Sequence, residues 1–276
     1  MKFQIAAFAD EAGSRMDEQI AAMQENGVTG LEIRGVDGEN ISNISNEKAK
    51  EVKKRLDDAG LAVWSLGSPY GKVGIEEDFG PHLDRFCRGL ELAEILQTKH
   101  IRLFSFFIPK EKDPAIFRDA VMERLAKFVE KAQGSGVMLC HENEKGIYGD
   151  IASRCADIHA ALPEIRAVFD PANYIQCKQP TKPAWEMLAP YVEYMHIKDA
   201  LADGEVVPAG KGIGELPYLL SQFKGSVVSV EPHLHVFEGF AELERDQQTK
   251  MLESFHYPSS RAAFGAAVDA LKALID

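Results

Sequence analysis

The stretch GVMLCHE, residues 136–142, is a short apolar run that ends on a metal-binding side chain, and three similar runs follow it. They are IRAVFD (165–170), YVEYMHI (191–197) and SVVSVE (226–231). Each carries few charges and precedes turn residues and then a helix-like segment. Such runs are typical of parallel strands that are buried on both faces. The repetition therefore predicts a parallel sheet built from strand–helix units.

The same alternation extends over the whole chain. Between two strands, Val121, Leu125 and Phe128 recur at the spacing of an amphipathic helix, and Gly27 is placed to end the first helix. Eight strands in 276 residues give units of about 34 residues, which predicts an α/β fold: a single (β/α)8 TIM barrel domain over residues 1–276. The predicted strands are Phe3–Ala9, Gly30–Arg34, Leu61–Leu66, His100–Phe104, Val137–Glu142, Arg166–Asp170, Val192–Ile197 and Ser226–Glu231.

A doubly wound open sheet is the alternative fold. It usually carries a glycine-rich fingerprint after its first strand. The corresponding turn here, ADEAGSRMDEQ (9–19), lacks that fingerprint. The barrel is therefore the favoured interpretation.

Composition and charge exclude several classes of protein. Apolar residues make up 45% of the chain, yet no run of 18 apolar residues is present, so we expect no membrane span. The net charge of −12 argues against general nucleic-acid binding, which needs clustered lysines and arginines. Four cysteines without close pairing predict free thiols and a cytoplasmic protein.

A long connection follows the eighth predicted strand. It covers residues 232–258, and a connection of this length in a compact domain is usually functional. The piece EGFAELERDQQTKMLESF (238–255) is expected to form a lid or an arm of a homo-oligomer, with a passive surface excursion as the alternative.

Four metal-binding side chains stand at the ends of the last four predicted strands. They are Glu142, Asp170, His196 and Glu231. Because the carboxyl ends of barrel strands meet at one rim, we expect these groups to converge. Three carboxylates and one imidazole suit one divalent cation, with Mn²⁺ as the first choice and Mg²⁺, Co²⁺ or Zn²⁺ as alternatives. Any one of these carboxylates, taken alone, is more often a helix N-cap or an ion-pair partner.

Residues near these strand ends are candidates for substrate binding. Lys198 stands two residues after His196 and is expected to hold a substrate hydroxyl or to stabilise negative charge, with a salt bridge to Asp199 or Asp170 as the alternative. His233 is expected to contact substrate or to orient a ligand. Trp64 is a candidate aromatic wall, with a place in the core as the alternative. The G-x-G-x-G run over 210–214 predicts a tight turn, with a phosphate cradle as the alternative.

The whole pattern resembles the xylose-isomerase-like TIM barrel superfamily of sugar isomerases and epimerases. The resemblance covers nearly the whole chain, and its most specific part is the set of four strand-end ligands. The matching segments are LEIRG (31–35), HEN (141–143), FDPAN (169–173), HIKD (196–199), GKGIGELP (210–217) and SVEPH (229–233).

The resemblance implies a metal-dependent isomerase or epimerase of a small sugar or keto-polyol, or a dehydratase as in the inosose-type branch. It places the metal ligands on the four strand-end side chains and the two acid/base carboxylates on Glu142 and Glu231. It also implies that Glu32 faces the substrate, although an ion pair with Arg34 or Lys72 is the alternative. Asn173 stands where ketose epimerases usually carry a histidine and is expected to influence substrate choice.

The chemistry of these residue types agrees with that implication. Isomerisation or epimerisation beside a carbonyl needs a base to remove a proton from carbon and a second group to return one. A cation stabilises the enediolate charge that develops between these steps. Three alternatives remain: loss of water from the same enediolate, a multi-zinc DNA-repair endonuclease and a non-catalytic sugar-binding barrel.

Overall fold

Eight parallel strands close into a barrel in the computed structural model, which describes residues 2–236 and 255–275. Each strand pairs with its neighbours in the chain, and the first pairs with the last, as the sequence predicted. The strands of the barrel are β1 (Gln4–Ala7), β2 (Gly30–Ile33), β3 (Ala62–Leu66), β4 (His100–Leu103), β5 (Met138–Glu142), β6 (Ile165–Phe169), β7 (Val192–Ile197) and β8 (Val227–Val230). Two short hairpins lie outside it, Gly35–Val36 with Glu39–Asn40 and Asp199–Ala200 with Val206–Val207.

Helices cover the outside of the barrel. The predicted stripe Val121, Leu125 and Phe128 is buried against the strands. Gly27 adopts a left-handed backbone conformation (φ 61°) just after the first helix, as expected of a residue that ends it. In the described part of the chain the helices are α1 (Met16–Glu25), α2 (Asn46–Asp58), α3 (Gly80–Leu96), α4 (Arg118–Ala132), α5 (Ala152–Ala161), α6 (Pro171–Gln176), α7 (Thr181–Leu188), α8 (Leu216–Gln222) and α9 (Ser260–Ile275).

The predicted strand bounds agree with the structure to within two residues, but two functional residues lie just beyond their strands. β6 ends at Phe169, so Asp170 is the N-cap of α6, and β8 ends at Val230, one residue before Glu231. In both places a proline follows directly. Proline has no N–H for the sheet, which ends the ladder there.

The barrel interior changes from apolar to polar along its axis. Small and apolar side chains fill the lower part, together with the ring of Tyr194. Above this layer the interior contains buried charged groups that follow the strand ends. The apolar layer therefore forms the floor of a polar site at the carboxyl ends of the strands. The lower layer consists of Ala6, Cys140, Val168, Tyr194 and Val227, with Trp64 and Met138 packed against it.

The connection after β8 is only partly described. Residues 237–254 lie outside the described residues, so the lid or oligomer arm expected at 238–255 remains a prediction. Among the helices that the structure describes, none is long and apolar enough to cross a membrane.

Candidate metal centre

The four strand-end side chains converge at the carboxyl end of the barrel. One potential ligand atom from each of Glu142, Asp170, His196 and Glu231 lies within 4.8 Å of the others, and all four residues are buried. They stand at or directly after the ends of consecutive strands, which is why residues 89 positions apart meet. A cluster of three carboxylates and one imidazole matches the ligand preferences of divalent cations such as Mn²⁺ and Zn²⁺.

The two ring nitrogens of His196 face opposite sides, and each lies close to a carboxylate. Nδ1 faces the cluster, 3.0 Å from Glu142 Oε1 and 3.5 Å from Glu231 Oε2. Nε2 faces the opposite side, 3.1 Å from Glu32 Oε2. The nitrogen available to a cation shared with the other three ligands is therefore Nδ1.

Two asparagines hold Glu142 and Asp170 in place, one through a carboxylate and one through the backbone. Asn143 exchanges two hydrogen bonds with the backbone of Asp170, donating from Nδ2 to its carbonyl and accepting its N–H at Oδ1. Asn173 Nδ2 donates to Glu142 Oε1 (3.2 Å) and to the Asn143 carbonyl (2.9 Å). These amides link the ends of β5 and β6 and fix the distance between Glu142 and Asp170.

Lys198 enters the cluster itself. Its Nζ lies 2.9 Å from Glu231 Oε2 and 3.0 Å from Asp170 Oδ2. The salt bridge to Asp170 that the sequence offered as an alternative is therefore present, and the ammonium group is also positioned at the centre of the site. The cavity at the centre of this cleft has a volume of about 20 Å³, enough for one water or a small ion.

Two buried arginines, which the sequence analysis missed, neutralise the two glutamates of the cluster. Arg34 Nη1 lies 3.2 Å from Glu231 Oε1, while Arg102 Nη1 lies 3.1 Å from Glu142 Oε2 and 3.8 Å from Glu231 Oε1. Both guanidinium groups pack against the ring of Phe8. The available signal was a charged residue in or directly after an otherwise apolar strand, in LEIRG and HIRLF.

His233 lies beside Glu231 and extends the cluster toward β1. Its Nε2 is 3.3 Å from Glu11 Oε1 and 3.7 Å from Glu231 Oε1, and its backbone N–H donates to Glu11 Oε2. Burial raises the pKa of Glu11 to about 8. His233 therefore lies beside Glu231, and its expected role in contacting substrate or orienting a ligand stays a prediction.

The structure gives Glu32 partners that the sequence did not predict. Glu32 is fully buried beneath the cluster, and it bonds to Tyr194 and His196 rather than to Arg34 or Lys72. The ion-pair alternative was wrong, because the side chain crosses the barrel interior, and the expected substrate contact stays a prediction.

Trp64 lies in the lower layer of the barrel. Its ring stacks on that of His100, the first residue of β4, with the ring centroids 4.1 Å apart, and it contacts Tyr194 edge-on. The aromatic-wall prediction was therefore wrong and the core alternative was right. Trp64 stands in the middle of β3, too far below the strand end to reach a substrate at the rim.

The glycine-rich run binds an anion of the chain itself. The backbone N–H groups of Gly210, Gly212 and Gly214 donate to the carboxylate of Asp199 at 2.8–3.0 Å. The N–H of Ala200 donates to it as well. Because Asp199 occupies these donors, the tight turn is confirmed and the phosphate cradle is not formed.

Burial and neighbouring charges shift the ionisation of the cluster. Burial raises the pKa of Asp170 to about 7, against the opposing effect of Lys198. Burial also disfavours ionised Glu231, but the positive charges around it, with Lys198 foremost, hold its pKa well below the usual range. For His196, burial alone favours the neutral ring, and the flanking carboxylates reverse this and hold its pKa well above the usual range.

A closed parallel barrel with a buried carboxylate–histidine cluster at the carboxyl ends of its strands defines a TIM barrel with a candidate metal centre. The family described as "Xylose isomerase-like TIM barrel" matches residues 20–253, and the chain belongs to this family. The resemblance stated from the sequence is thus confirmed. No curated protein sequence matches the chain significantly.

Solved structures share the fold over nearly the whole chain. The probable 3-DHS dehydratase AsbF from Bacillus anthracis is 15% identical, with a TM-score of 0.74 over 99% of both chains. The IOLI protein with a bound zinc atom is 13% identical, with a TM-score of 0.75 over 99% of this chain and 98% of that one. L-ribulose 3-epimerase is 16% identical, with a TM-score of 0.74 over 99% and 94%. At these identities the likeness establishes the fold.

Proposed function

We propose that this protein is a divalent-metal-dependent isomerase or epimerase of a small sugar or keto-polyol. The observation that carries the proposal is the meeting of Glu142, Asp170, His196 and Glu231 within 4.8 Å at the carboxyl end of the barrel. Enzymes with this fold carry their chemistry at that end. The names of the similar structures, an epimerase and a dehydratase among them, point to the same range of reactions.

The residues present fit a divalent cation. Asp170 Oδ2 is buried and accepts no hydrogen bond from the described residues, although the ammonium group of Lys198 lies 3.0 Å away. A cation bound there by the four side chains compensates this buried charge, which is otherwise costly. When bound, it polarises the substrate carbonyl and stabilises the enediolate charge. Mn²⁺ is our first choice because the set combines carboxylates with one imidazole.

The two glutamates are the proposed acid/base pair. Each presents one oxygen to the centre of the cluster and the other to an arginine, since Arg102 lies against Glu142 Oε2 and Arg34 against Glu231 Oε1. Each guanidinium group thus lies directly against its carboxylate, and an ionised carboxylate is what proton abstraction from carbon requires. One glutamate removes the proton and the other returns one to the neighbouring carbon or to the opposite face.

Metal analysis and deuterium exchange test this proposal together. The purified protein is analysed for bound metal and then incubated in D₂O with a panel of ketoses and inososes. We expect deuterium at the carbon beside the carbonyl, and we expect Glu142→Gln and Glu231→Gln each to abolish it. Glu130→Gln, an exposed change on α4, is the matched control. Exchange that persists after complete removal of metal by a chelator contradicts the proposal.

Lys198 favours one second candidate, a metal-dependent dehydratase. Its ammonium group lies within 3.0 Å of both Asp170 and Glu231, so a positive charge is available to stabilise a departing hydroxyl group, which takes up the proton that a glutamate removed from carbon. The enediolate then loses water instead of regaining a proton. Mass spectrometry of the product from the same panel separates the two reactions, because only the dehydratase reaction lowers the product mass by one water.

The proposal also covers the cellular location, the substrate class and the assembly of the enzyme. The four cysteines are free thiols, which supports a cytoplasmic location. The net charge of −12 supports a small-molecule substrate over nucleic acid. A single barrel domain over residues 1–276 and a homo-oligomer formed through the connection after β8 remain proposals.

A further inference from the structure

Glu32 approaches His196 from the side opposite to the metal-binding cluster. The carboxylate of Glu32 and the ring of His196 are both fully buried, with 0% exposure. Glu32 Oε2 lies 3.1 Å from Nε2, whereas Nδ1 lies 3.0–3.9 Å from the three carboxylates of the cluster. The ring therefore has a separate acidic partner at each nitrogen, and rotating it by half a turn about Cβ–Cγ breaks both contacts.

Tyr194 fixes Glu32 in turn. Its hydroxyl donates to Glu32 Oε1 at 2.6 Å. Tyr194 precedes His196 by two residues on β7, so both side chains point into the barrel, one above the other. Phe8 contacts the His196 ring edge-on at 5.2 Å between centroids and restricts its rotation further. The chain from Tyr194 to Glu32 to His196 thus joins the floor of the site to the cluster.

We propose that Glu32 is a positioning residue that accepts the Nε2–H of His196 and thereby makes Nδ1 the ligating nitrogen. This inference rests on the proposed metal function. A metal-ligating histidine generally donates its other N–H to a carboxylate, carbonyl or water, which fixes the tautomer and ring orientation and increases the basicity of the ligand. Glu32 is the only carboxylate within 4.0 Å of Nε2 among the described residues.

Loss of such a partner typically weakens metal binding about 10–100-fold. We therefore expect Glu32→Ala to bind Zn²⁺ about 10–100-fold more weakly than the wild type in a calorimetric titration. Glu32→Gln keeps an oxygen that accepts the Nε2–H, so it is expected to restore most of the affinity. Tyr194→Phe keeps the Glu32 carboxylate and removes only the hydroxyl that donates to it, so we expect a smaller loss of Zn²⁺ affinity. This variant tests the inference if Glu32→Ala does not fold.

Glu193→Gln is the matched control. Glu193 lies on the same strand as His196, and its carboxylate also lies near a histidine, with Oε1 3.5 Å from His100 Nε2, but at the lower end of the barrel. If the loss of any histidine–carboxylate pair in the barrel weakened metal binding through the fold, this variant would bind Zn²⁺ weakly too. Equal affinity of Glu193→Gln and the wild type is the expected result.

Nitrogen NMR of protein labelled at histidine gives a readout that a merely structural role does not change. With ¹¹³Cd²⁺ bound, we expect cadmium coupling at Nδ1 of His196 and a proton on Nε2. Without metal, we expect a slowly exchanging Nε2–H proton in the wild type that disappears in Glu32→Ala. Coupling at Nε2 in the wild type overturns the inference, as does unchanged Zn²⁺ affinity in Glu32→Ala.

The Zn²⁺ titration and the NMR measurement together distinguish failure of this inference from failure of the proposed function. If the wild type binds no cation but its Nε2–H signal depends on Glu32, the proposed function fails, and with it the ligating role of Nδ1, although Glu32 still orients the ring. If the wild type binds Zn²⁺ and Glu32→Ala binds it with the same affinity through Nδ1, the proposed function stands and the positioning role fails.

Discussion

At the scale of single residues, Asp170 shows how one carboxylate serves two structures. Its Oδ1 accepts the backbone N–H of Asn173 and caps α6, while its Oδ2 faces the cluster. The N-cap interpretation and the metal-ligand interpretation of this residue are therefore compatible. The side chain of Asn173 has a different partner, Glu142 Oε1.

Asn173→Ala is expected to lower turnover while leaving metal content unchanged. The variant keeps the backbone N–H that caps Asp170 but loses the amide that holds Glu142. One hydrogen bond to a charged group contributes about 1.5 kcal/mol, so we expect kcat/KM to fall about tenfold and to change unequally across the sugar panel. Metal analysis and steady-state kinetics measure both effects. Loss of the metal in this variant contradicts the role given to Asn173.

His82 is expected to make the protein less stable in acid. It is a buried residue of α3 and accepts the N–H of Gly71 at Nε2, and burial lowers its pKa from 6.5 to about 4. Between these two pH values the unfolded chain binds more protons than the folded one, so stability falls as the pH falls through this window. From pH 7 to pH 5 the loss is about 2 kcal/mol.

Urea unfolding at pH 7 and pH 5 tests the role of His82. In His82→Gln, the difference in unfolding free energy between the two pH values should shrink by about 2 kcal/mol. His256→Gln, a change at an exposed histidine, is the control and should leave the difference as in the wild type. An unchanged difference in His82→Gln shows that other groups carry the acid sensitivity.

At the scale of elements, the loop after β7 is organised around Asp199. Its carboxylate accepts backbone N–H groups from Ala200, Gly210, Gly212 and Gly214. The donors at positions 212 and 214 are glycines because a side chain at either position would collide with the Asp199 carboxylate. A Cβ at Gly212 lies 2.3 Å from both Asp199 Oδ1 and the Ala200 carbonyl oxygen. Since Asp199 follows Lys198 directly, the same contacts hold the end of β7 in place.

Gly212→Ala is expected to destabilise the protein by about 2–4 kcal/mol, because the methyl group forces the loop away from Asp199. Gly60→Ala is the matched control. Gly60 has φ 71° and no atom within 4 Å of an added Cβ, so its replacement costs only the backbone strain of about 1 kcal/mol. Urea unfolding compares the two variants. Equal losses contradict the crowding argument.

At the scale of the whole molecule, the barrel gathers charge at one end and excludes water below it. Seven of its strands contribute a charged or histidine side chain to the site, either from the strand or from the turn after it. Most of these groups are paired, which a buried charge requires. The rim residues are Asp10 and Glu11 after β1, Arg34 after β2, Arg102 on β4, Glu142 on β5, Asp170 after β6, His196 on β7 with Lys198 after it, and Glu231 after β8.

Cation binding is therefore expected to stabilise the entire barrel. A ligand that binds only the folded state at 100 times its Kd adds about 2.7 kcal/mol to the free energy of unfolding. For a protein of this size that raises Tm by roughly 5–10 °C. Thermal unfolding with MnCl₂ and with EDTA measures the shift, and Asp170→Asn should abolish it. A shift of the same size in Asp170→Asn places the cation elsewhere.

Much of the site follows from the sequence because it depends on backbone direction. Apolar runs of four to six residues, separated by helical spacing, dictate parallel strands, and parallel strands in a barrel end at one rim. The convergence of Glu142, Asp170, His196 and Glu231 could therefore be predicted from their places at strand ends. Errors of one or two residues in the strand bounds do not affect this prediction, since a residue directly after a strand is still at the rim.

The partners of those side chains were decided only by the tertiary structure. Tyr194 and Glu32 are 162 residues apart and meet because their strands face each other across the barrel. No local pattern encodes such a contact. The same is true of the contact between Arg102 and Glu142 and of the position of Trp64 in the lower layer of the barrel. The sequence determined which chemical groups reach the rim. Packing across the closed barrel decided which atoms of those groups face one another.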